Sequence, residues 1–350
     1  MPHEPINERL ETLRNRILIE KDHVSSVSSS DFPHHYPGYD DSWNFEKFKN
    51  KFRVTVNRLT ETEMEFDLIG IDASIANAFR RILIAEVPTM AIEHVYVLNN
   101  TSVIQDEVLS HRLGLIPIKA DPSEFEFKTP DEPPTDLNTI VFKLSIKCQR
   151  NPKADANEED PAKKYINSNV LSKHLTWEAK GDQETKFKAS PIGPVMDDIL
   201  IAKLRPGQEI DMVLHCEKGL GREHAKWSPV ATASYRLLPE IIIKRPITGD
   251  LADKFARCFP EGVVEVVMEN GVRTAKVVNP RKDTVSREVL RHKEFEGLVK
   301  LTRVRDHFIF NIESTGIIPP ADLFRQSVQV LMEKCRRVQQ AIQELKSKSA

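Results

Sequence analysis

The chain has 350 residues, enough for one large domain or two to three ordinary ones, with 50 Lys plus Arg against 52 Asp plus Glu and a formal net charge of -2. That balance speaks against autonomous nucleic-acid binding, which carries a basic excess or stripe, and 40% hydrophobic with 29% charged residues describes a globular chain with a polar surface. No apolar run approaches the roughly 18–20 residues of a membrane span, no apolar signal core stands near the first residue, and Pro (22) outnumbering Gly (13) fits poorly with glycine-rich phosphate loops. Neither membrane insertion nor export is expected.

Residues 1–48 read as an appended arm. A charged stretch, Glu8–Lys21, is expected to form a short helix. A serine cluster (Ser25, Ser26, Ser28, Ser29, Ser30) and Pro33-His34-His35-Tyr36-Pro37-Gly38 then mark irregular chain. His34 and His35 lack a third ligand nearby and read as loop. Trp43, Phe45 and Phe48 are apolar enough to anchor the arm on another surface. Phe52, Val54 and Val56 alternate with polar residues, as do Met64, Phe66 and Leu68 after a turn at Thr60–Glu63; the pattern predicts a hairpin with one buried face.

Asp72 offers an N-cap to a helix ending near Glu86 before Pro88. Ile75, Phe79, Ile82 and Leu83 form its apolar stripe, and Arg80-Arg81 stand off it as a docking feature for acidic groups. A strand at Ile92–Leu98 and a helix at Asp106–Leu113, stopped by Gly114, follow. Asp121–Asn138 reads as loop, Thr139–Lys147 as strand and Asn151–Lys164 as a polar surface loop. Asp198–Leu204 and Glu209–Cys216, joined by Arg205-Pro206-Gly207-Gln208, predict a hairpin. After a loop at Gly219–Pro229, Val230–Ile243 returns to strand character.

A small unit comes next. Gly262–Met268 and Val272–Val278 flank Asn270-Gly271, a pair suited to a tight hairpin turn. Ser286–Lys293 reads as helical, with strands at Leu298–Val304 and His307–Glu313. From Ala321 to about Leu345 there is no Gly or Pro, and Leu323, Ser327, Val330/Leu331, Cys335, Val338, Ile342 and Leu345 recur at spacings of three and four. A helix of about 25 residues is about 38 Å long. It either belongs to the core of its own domain or outruns it and needs a partner helix.

Chemistry is sparse. The four cysteines (Cys148, Cys216, Cys258, Cys335) are far apart, form no C-x-x-C, and are expected to be buried and reduced. No phosphate-loop, nucleophile-elbow or zinc-protease pattern occurs, and Gly219-Leu220-Gly221 lacks the third glycine of a dinucleotide motif. Asp197-Asp198 reads as a solvated loop as readily as a Mg²⁺ site. His111, Asp306 and His307 permit only a weak rival reading, a stand-alone hydrolase or phosphate-binding enzyme.

Longer motifs carry more. Phe79-Arg80-Arg81-Ile82-Leu83-Ile84-Ala85-Glu86-Val87-Pro88-Thr89-Met90-Ala91-Ile92, followed by His111-Arg112-Leu113-Gly114-Leu115-Ile116-Pro117-Ile118, resembles the alpha-type subunits of cellular RNA polymerases. Leu204-Arg205-Pro206-Gly207-Gln208-Glu209 and His224-Ala225-Lys226-Trp227-Ser228-Pro229-Val230 match the eukaryotic and archaeal branch. With Glu313-Ser314-Thr315-Gly316 and the last helix, the resemblance covers about residues 50–345.

The resemblance implies an α+β fold. A discontinuous dimerisation domain (49–88 and 236–350) would surround a β-rich insert domain (89–235), with a small ferredoxin-like relic at about 250–298 and a dimerisation helix at 320–346. It implies a non-catalytic assembly subunit without cofactor or metal. The interface with a smaller alpha-like subunit would use Ile75, Phe79, Ile82, Leu83, Leu323, Leu331, Cys335, Val338 and Ile342. Contacts with the second-largest catalytic subunit would use Arg80, Arg81, His111, Arg112, His224, Lys226 and Trp227. Small zinc-binding subunits are further implied partners.

Within the family, the RNA polymerase II third-largest subunit has a cysteine cluster where Phe127–Thr139 has no cysteine, and archaeal D-type subunits often carry a cluster where 250–298 has only Cys258. The long tail, the metal-free insert and the segments Cys258–Gly262 and Asn279–Arg281 look like the branch shared by polymerases I and III. That branch implies a nuclear protein (nucleolus and nucleoplasm) in rRNA, tRNA and 5S rRNA transcription, with little direct DNA contact; the polymerase II and archaeal types are the alternatives.

Overall fold

The computed structural model describes residues 6–27, 40, 42–155 and 157–349, so the His34-His35 loop lies outside the described residues. In chain order the first elements are α1 (Ile6–Asn15), β1 (Arg16–Ile19), β2 (Val24–Ser25), α2 (Phe45–Lys51), β3 (Arg53–Leu59), β4 (Glu63–Ile69) and α3 (Ala73–Ala85). The middle contains β5 (Thr89–Asn100), α4 (Asp106–Gly114), β6 (Thr139–Lys147), β7 (Asn169–Leu171), β8 (Thr176–Glu178), β9 (Leu200–Lys203), β10 (Glu209–Gly219) and β11 (Val230–Ile243). The last elements are α5 (Asp250–Arg257), β12 (Val264–Glu269), β13 (Val272–Val277), β14 (Val299–Ser314) and α6 (Pro320–Ser349), with shorter turns and bridges between. Helices and antiparallel sheets mix throughout, the α+β class expected of an alpha-type fold.

The chain forms two compact units, one from the described residues of 1–57, 65–77 and 234–310, the other from those of 58–64, 78–233 and 311–350. A six-stranded sheet runs β2-β1-β14-β4-β3, with β11 also paired to β14. In the first unit its apolar face is built on Phe66, Leu68, Phe308 and Phe310, all fully buried. Phe66 and Phe310 stack at 5.3 Å between ring centroids, and Tyr235 meets Phe308 edge-on at 5.4 Å.

The helix expected through Lys21 stops at Asn15, because Arg16–Ile19 extends and pairs antiparallel with Leu301–Val304. Ile19 enters the core, and Arg16 Nε donates to Glu240 Oε2 at 2.6 Å, so the strand recovers more than another helical turn in water would. The two strands expected near 298–304 and 307–313 are one strand, β14. The polar residues between them do not break it: the Asp306 carbonyl accepts from Gly70 N at 2.7 Å and the Asp306 carboxylate pairs with Lys51 at 2.6 Å.

A second cluster of the first unit gathers Ile241, Ile247, Phe255, Phe259, Val263, Val289 and Phe295. Helix α5, absent from the sequence reading, delivers Phe255 to it, within 5.1 Å of Phe259 and 5.4 Å of Phe295. The β12–β13 turn has φ +51° at Asn270 and +79° at Gly271, the left-handed pair expected there. Ser286–Lys293 differs from the expected helix, forming short 3-10 turns at Glu288–Arg291 and Lys293–Phe295 instead.

In the second unit a four-stranded sheet runs β8-β6-β10-β5. Ile140, Phe142, Leu144 and Ile146 alternate inward along β6, and Ile210, Met212, Leu214 and Cys216 along β10, over Leu109 and Leu113 of α4. The expected hairpin of Asp198–Leu204 with Glu209–Cys216 does not form. Both edges of β10 are taken, by β5 and β6, and β9 pairs with β7 instead. The turn at Pro206-Gly207 is real, but Gly207 N bonds to the Cys148 carbonyl, which directs the chain to β6.

Helix α6 has 30 residues, about 45 Å, and ends at Ser349, four beyond the expected Leu345. Its first turns are anchored: Leu323 and Ser327 are fully buried, and Phe324 meets Phe79 edge-on at 5.3 Å. Among the described residues no helix is long and apolar enough to cross a membrane.

Candidate functional site

Beyond Leu331, which is half-buried, α6 runs exposed through Lys348. Met332 (47% exposed), Val338 (59%), Ile342 (47%) and Leu345 (65%) keep a spacing near three and four, and Cys335, also exposed, completes the stripe. A lone helical stretch with an apolar stripe in water is unfavourable, because each side chain forgoes about 1.5–3 kcal/mol of burial. Lys334 and Glu86, 2.5 Å apart, tie the start of this stretch to the residue following α3.

The nine residues expected at an interface divide into three groups. Phe79, Ile82, Leu83 and Leu323 are buried within the chain and hold α3 and α6 in place from inside. Ile75 and Leu331 are half-buried, and Cys335, Val338 and Ile342 are open to solvent. Met332 and Leu345 extend that open group, and the spacing of Met332 from Cys335 was the signal for it. The expectation of four buried cysteines holds for Cys148, Cys216 and Cys258; Cys335 is exposed, on the stretch of α6 that is open to solvent.

Two motifs separated by over a hundred positions meet in the second unit. His111 of α4 and His224 of a 3-10 turn, Ala225–Trp227, have ring centroids 6.3 Å apart, and both are exposed. Lys226 and Trp227 close the fold beneath them. The Lys226 ammonium stands 4.5 Å above the Trp227 ring, donates to the Ile92 carbonyl at 2.9 Å and pairs with Glu93. Trp227 is 7% exposed and its indole N–H donates to the Glu217 carbonyl at 3.0 Å. Arg112 clamps α4 to β9 through the carbonyls of Ile201 (2.9 Å) and Leu200 (2.7 Å). Arg80 is half-buried and Arg81 exposed. Of the seven residues expected to meet a large subunit, His111, His224 and Arg81 therefore offer the open surface, while Lys226 and Trp227 mainly support it.

Gly219 makes this packing possible. A Cβ there would fall 2.3 Å from Trp227 Cε2, inside any attainable contact. Gly219→Ala is expected to cost about 1–3 kcal/mol through displacement of the indole, measured as a lower denaturation midpoint with red-shifted tryptophan emission. An unchanged midpoint would show that the ring moves freely.

The residues of the rival enzyme reading are divided between the two units, and two of them are engaged elsewhere. His307 Nε2 lies 2.9 Å from Asp67 Oδ2 in an ionic cluster of the first unit, Asp306 is engaged by Lys51, and His111 belongs to the other unit. Arg281 completes the cluster, gripping both Asp67 oxygens (2.7 and 2.8 Å) and Glu65 (2.8 Å). Asn57 Nδ2 adds a bond to Asp67 at 3.0 Å. Both Asp67 oxygens and the Arg281 fork are committed to protein groups, which is the arrangement of a structural lock. Among the described residues no group of three His, Cys, Asp or Glu is placed to hold a metal ion.

Comparison with known proteins identifies the family. The family model described as "RNA polymerase Rpb3/Rpb11 dimerisation domain" matches residues 65–335, from β4 to Cys335 of α6. The chain is 52% identical over 332 residues to the human "DNA-directed RNA polymerases I and III subunit RPAC1", covering 95% of this chain and 96% of that protein. It is 51% identical over 326 residues to the protein of the same name from Saccharomyces cerevisiae, covering 92% and 97%. To the Arabidopsis thaliana "DNA-directed RNA polymerases II, IV and V subunit 3" it is 31% identical over 293 residues, covering 81% and 88%. The chain belongs to the RNA polymerase Rpb3/Rpb11 dimerisation family and is a structural polymerase subunit.

Proposed function

We propose that this chain is the larger alpha-like subunit shared by RNA polymerases I and III, that it pairs with a smaller alpha-like subunit, and that the pair forms the platform on which the second-largest catalytic subunit and small zinc-binding subunits assemble. It is not an enzyme by itself. The observation that carries the reading is the exposed stripe of α6, Met332 to Ile342, an apolar helix face that the described residues leave open to solvent. A smaller partner of the same fold, with a matching helix, would cover it. In this reading 49–88 and 236–350 form the dimerisation domain around an insert at 89–235, and residues 1–48 are an arm. The exposed His111–His224 face and Arg81 would meet the second-largest subunit. The much higher identity to the polymerase I and III relatives than to the polymerase II, IV and V relative supports the shared branch, and with it a nuclear location and a role in rRNA, tRNA and 5S rRNA synthesis.

Purification of a tagged chain tests the assignment: the largest subunits of both polymerase I and polymerase III should co-purify, and polymerase II subunits in their place would overturn it. Alkylation gives a local test. Burial pushes the Cys148, Cys216 and Cys258 thiols up, away from the reactive thiolate, whereas Cys335 is exposed. N-ethylmaleimide should therefore label Cys335 first in the isolated chain and at least about tenfold more slowly in the heterodimer. Equal rates would remove Cys335 from the interface.

A further inference from the structure

β3 is the last strand of its sheet, and among the described residues no strand lies beyond it. All seven of its residues are exposed, including Val54 (45%) and Val56 (50%). Natural edges are protected by proline, bulges, short length or charge. β3 contains no proline and no left-handed residue, and its protection within the first unit is charge alone. Arg53 lies on the strand, and Lys47 and Lys49 lie on α2 immediately before it. All three are exposed, whereas the neighbouring Lys51 is occupied by Asp306. Glu46 is the one acidic residue of this stretch from Phe45 to Asn57.

We propose that the free edge of β3, over Arg53–Asn57, takes up an extended acidic segment of another polypeptide as an added strand. Main-chain bonds to the open edge would supply affinity, and alternation would supply selectivity. Asn57 bonds to Asp67, so Arg53, Thr55 and Asn57 share one face of the sheet, and Val54 and Val56 share the other. The incoming strand therefore has period two, with apolar side chains beside Val54 and Val56 and carboxylates beside Arg53. The same cations disfavour a second copy of this edge, because pairing would oppose like charges. Exposed Trp43 (71%) and Phe45 (62%) lie just upstream and offer apolar contacts to a longer segment. This inference concerns the sheet edge alone and does not depend on the polymerase assignment.

Hydrogen–deuterium exchange on the full chain, co-purified with its partner subunits, tests the proposal with three probes: a short peptide alternating valine and glutamate, its valine–lysine counterpart, and oligo(dT). The valine–glutamate peptide should protect the amides of 53–57. The triple variant Lys47→Glu, Lys49→Glu, Arg53→Glu, all at exposed positions, should weaken it by at least about tenfold and favour the lysine peptide, while Arg53→Lys keeps binding. No protection by the glutamate peptide, equal protection by both peptides, protection by oligo(dT) alone, or an unaffected triple variant would each overturn the proposal. Concentration-dependent self-association that protects 53–57 without peptide would also overturn it, in favour of a second copy.

Discussion

Replacing Val338 and Ile342 together by aspartate is expected to abolish pairing with the smaller alpha-like subunit while leaving the chain itself folded. Both side chains stand in solvent on α6, at 59% and 47% exposure, so neither substitution opens a cavity. Exposed positions away from caps and cores cost about 0.5 kcal/mol or less, and aspartate is close to valine and isoleucine in helix propensity. At an interface the arithmetic reverses. Each apolar side chain contributes about 1.5–3 kcal/mol when covered, and two carboxylates enclosed without partners add a desolvation penalty. A combined loss above about 4 kcal/mol weakens association roughly a thousandfold. Gel filtration of the co-expressed pair should show separated subunits, with the variant's circular dichroism unchanged. A heterodimer that survives would mean that the exposed stripe is not the contact. Phe79→Asp is a poorer test, because Phe79 is 9% exposed and packs on Phe324, so its loss would unfold the chain regardless of any partner.

Local pattern told most where the determinants are local. Thr139–Lys147 and Val230–Ile243 have the spans read from alternation, and Asn270-Gly271 set its own turn. The absence of Gly and Pro after Pro320 set the helix. Partner choice was less legible. The turn at Pro206-Gly207 was plain, yet β9 and β10 go to different sheets, because β10's edges are claimed by β5 and β6, far earlier in the chain. Likewise Arg16–Ile19 carries helix-compatible residues whose fate is decided by β14, far along the chain. α5 is amphipathic but only eight residues long, about two turns, and it is held by Phe255 packing, a tertiary cause. On the surface, the motif resemblance brought His111 and His224 to attention, and the fold places them together. It could not separate the open residues of the stripe from Ile82, Leu83 and Leu323, since a 3.6-residue period looks the same whether the chain's own core or a neighbour covers it.

Arg281→Ala is expected to lower the stability of the isolated chain by about 3–5 kcal/mol, the largest effect of any single polar substitution considered. The side chain of Asp67 is 9% exposed and that of Arg281 22%, and the fork of Arg281 bonds both Asp67 oxygens and Glu65 across more than two hundred positions of sequence. Removing the guanidinium leaves Asp67 and Glu65 facing one another at a shared site, with Asn57 and His307 still bonded to Asp67 and Arg236 the remaining arginine acting on both carboxylates. The cost is therefore that of a buried carboxylate without its counter-ion, well beyond the small value of an exposed pair. Two further variants separate this cause from simple loss of packing. Arg281→Lys keeps the charge but not the fork, and should recover only part of the loss. Asp67→Asn in the Arg281→Ala background removes the stranded charge and should restore about 1–3 kcal/mol, giving a positive coupling in the double-mutant cycle. Urea unfolding of the four proteins measures each term. A loss below about 1 kcal/mol for Arg281→Ala, or strict additivity in the cycle, would reduce the cluster to a solvated surface pair. The expected result instead makes Asn279-Pro280-Arg281 a fastening between the 3-10 turn at Pro280–Lys282 and β4, so the segment matters to the fold itself.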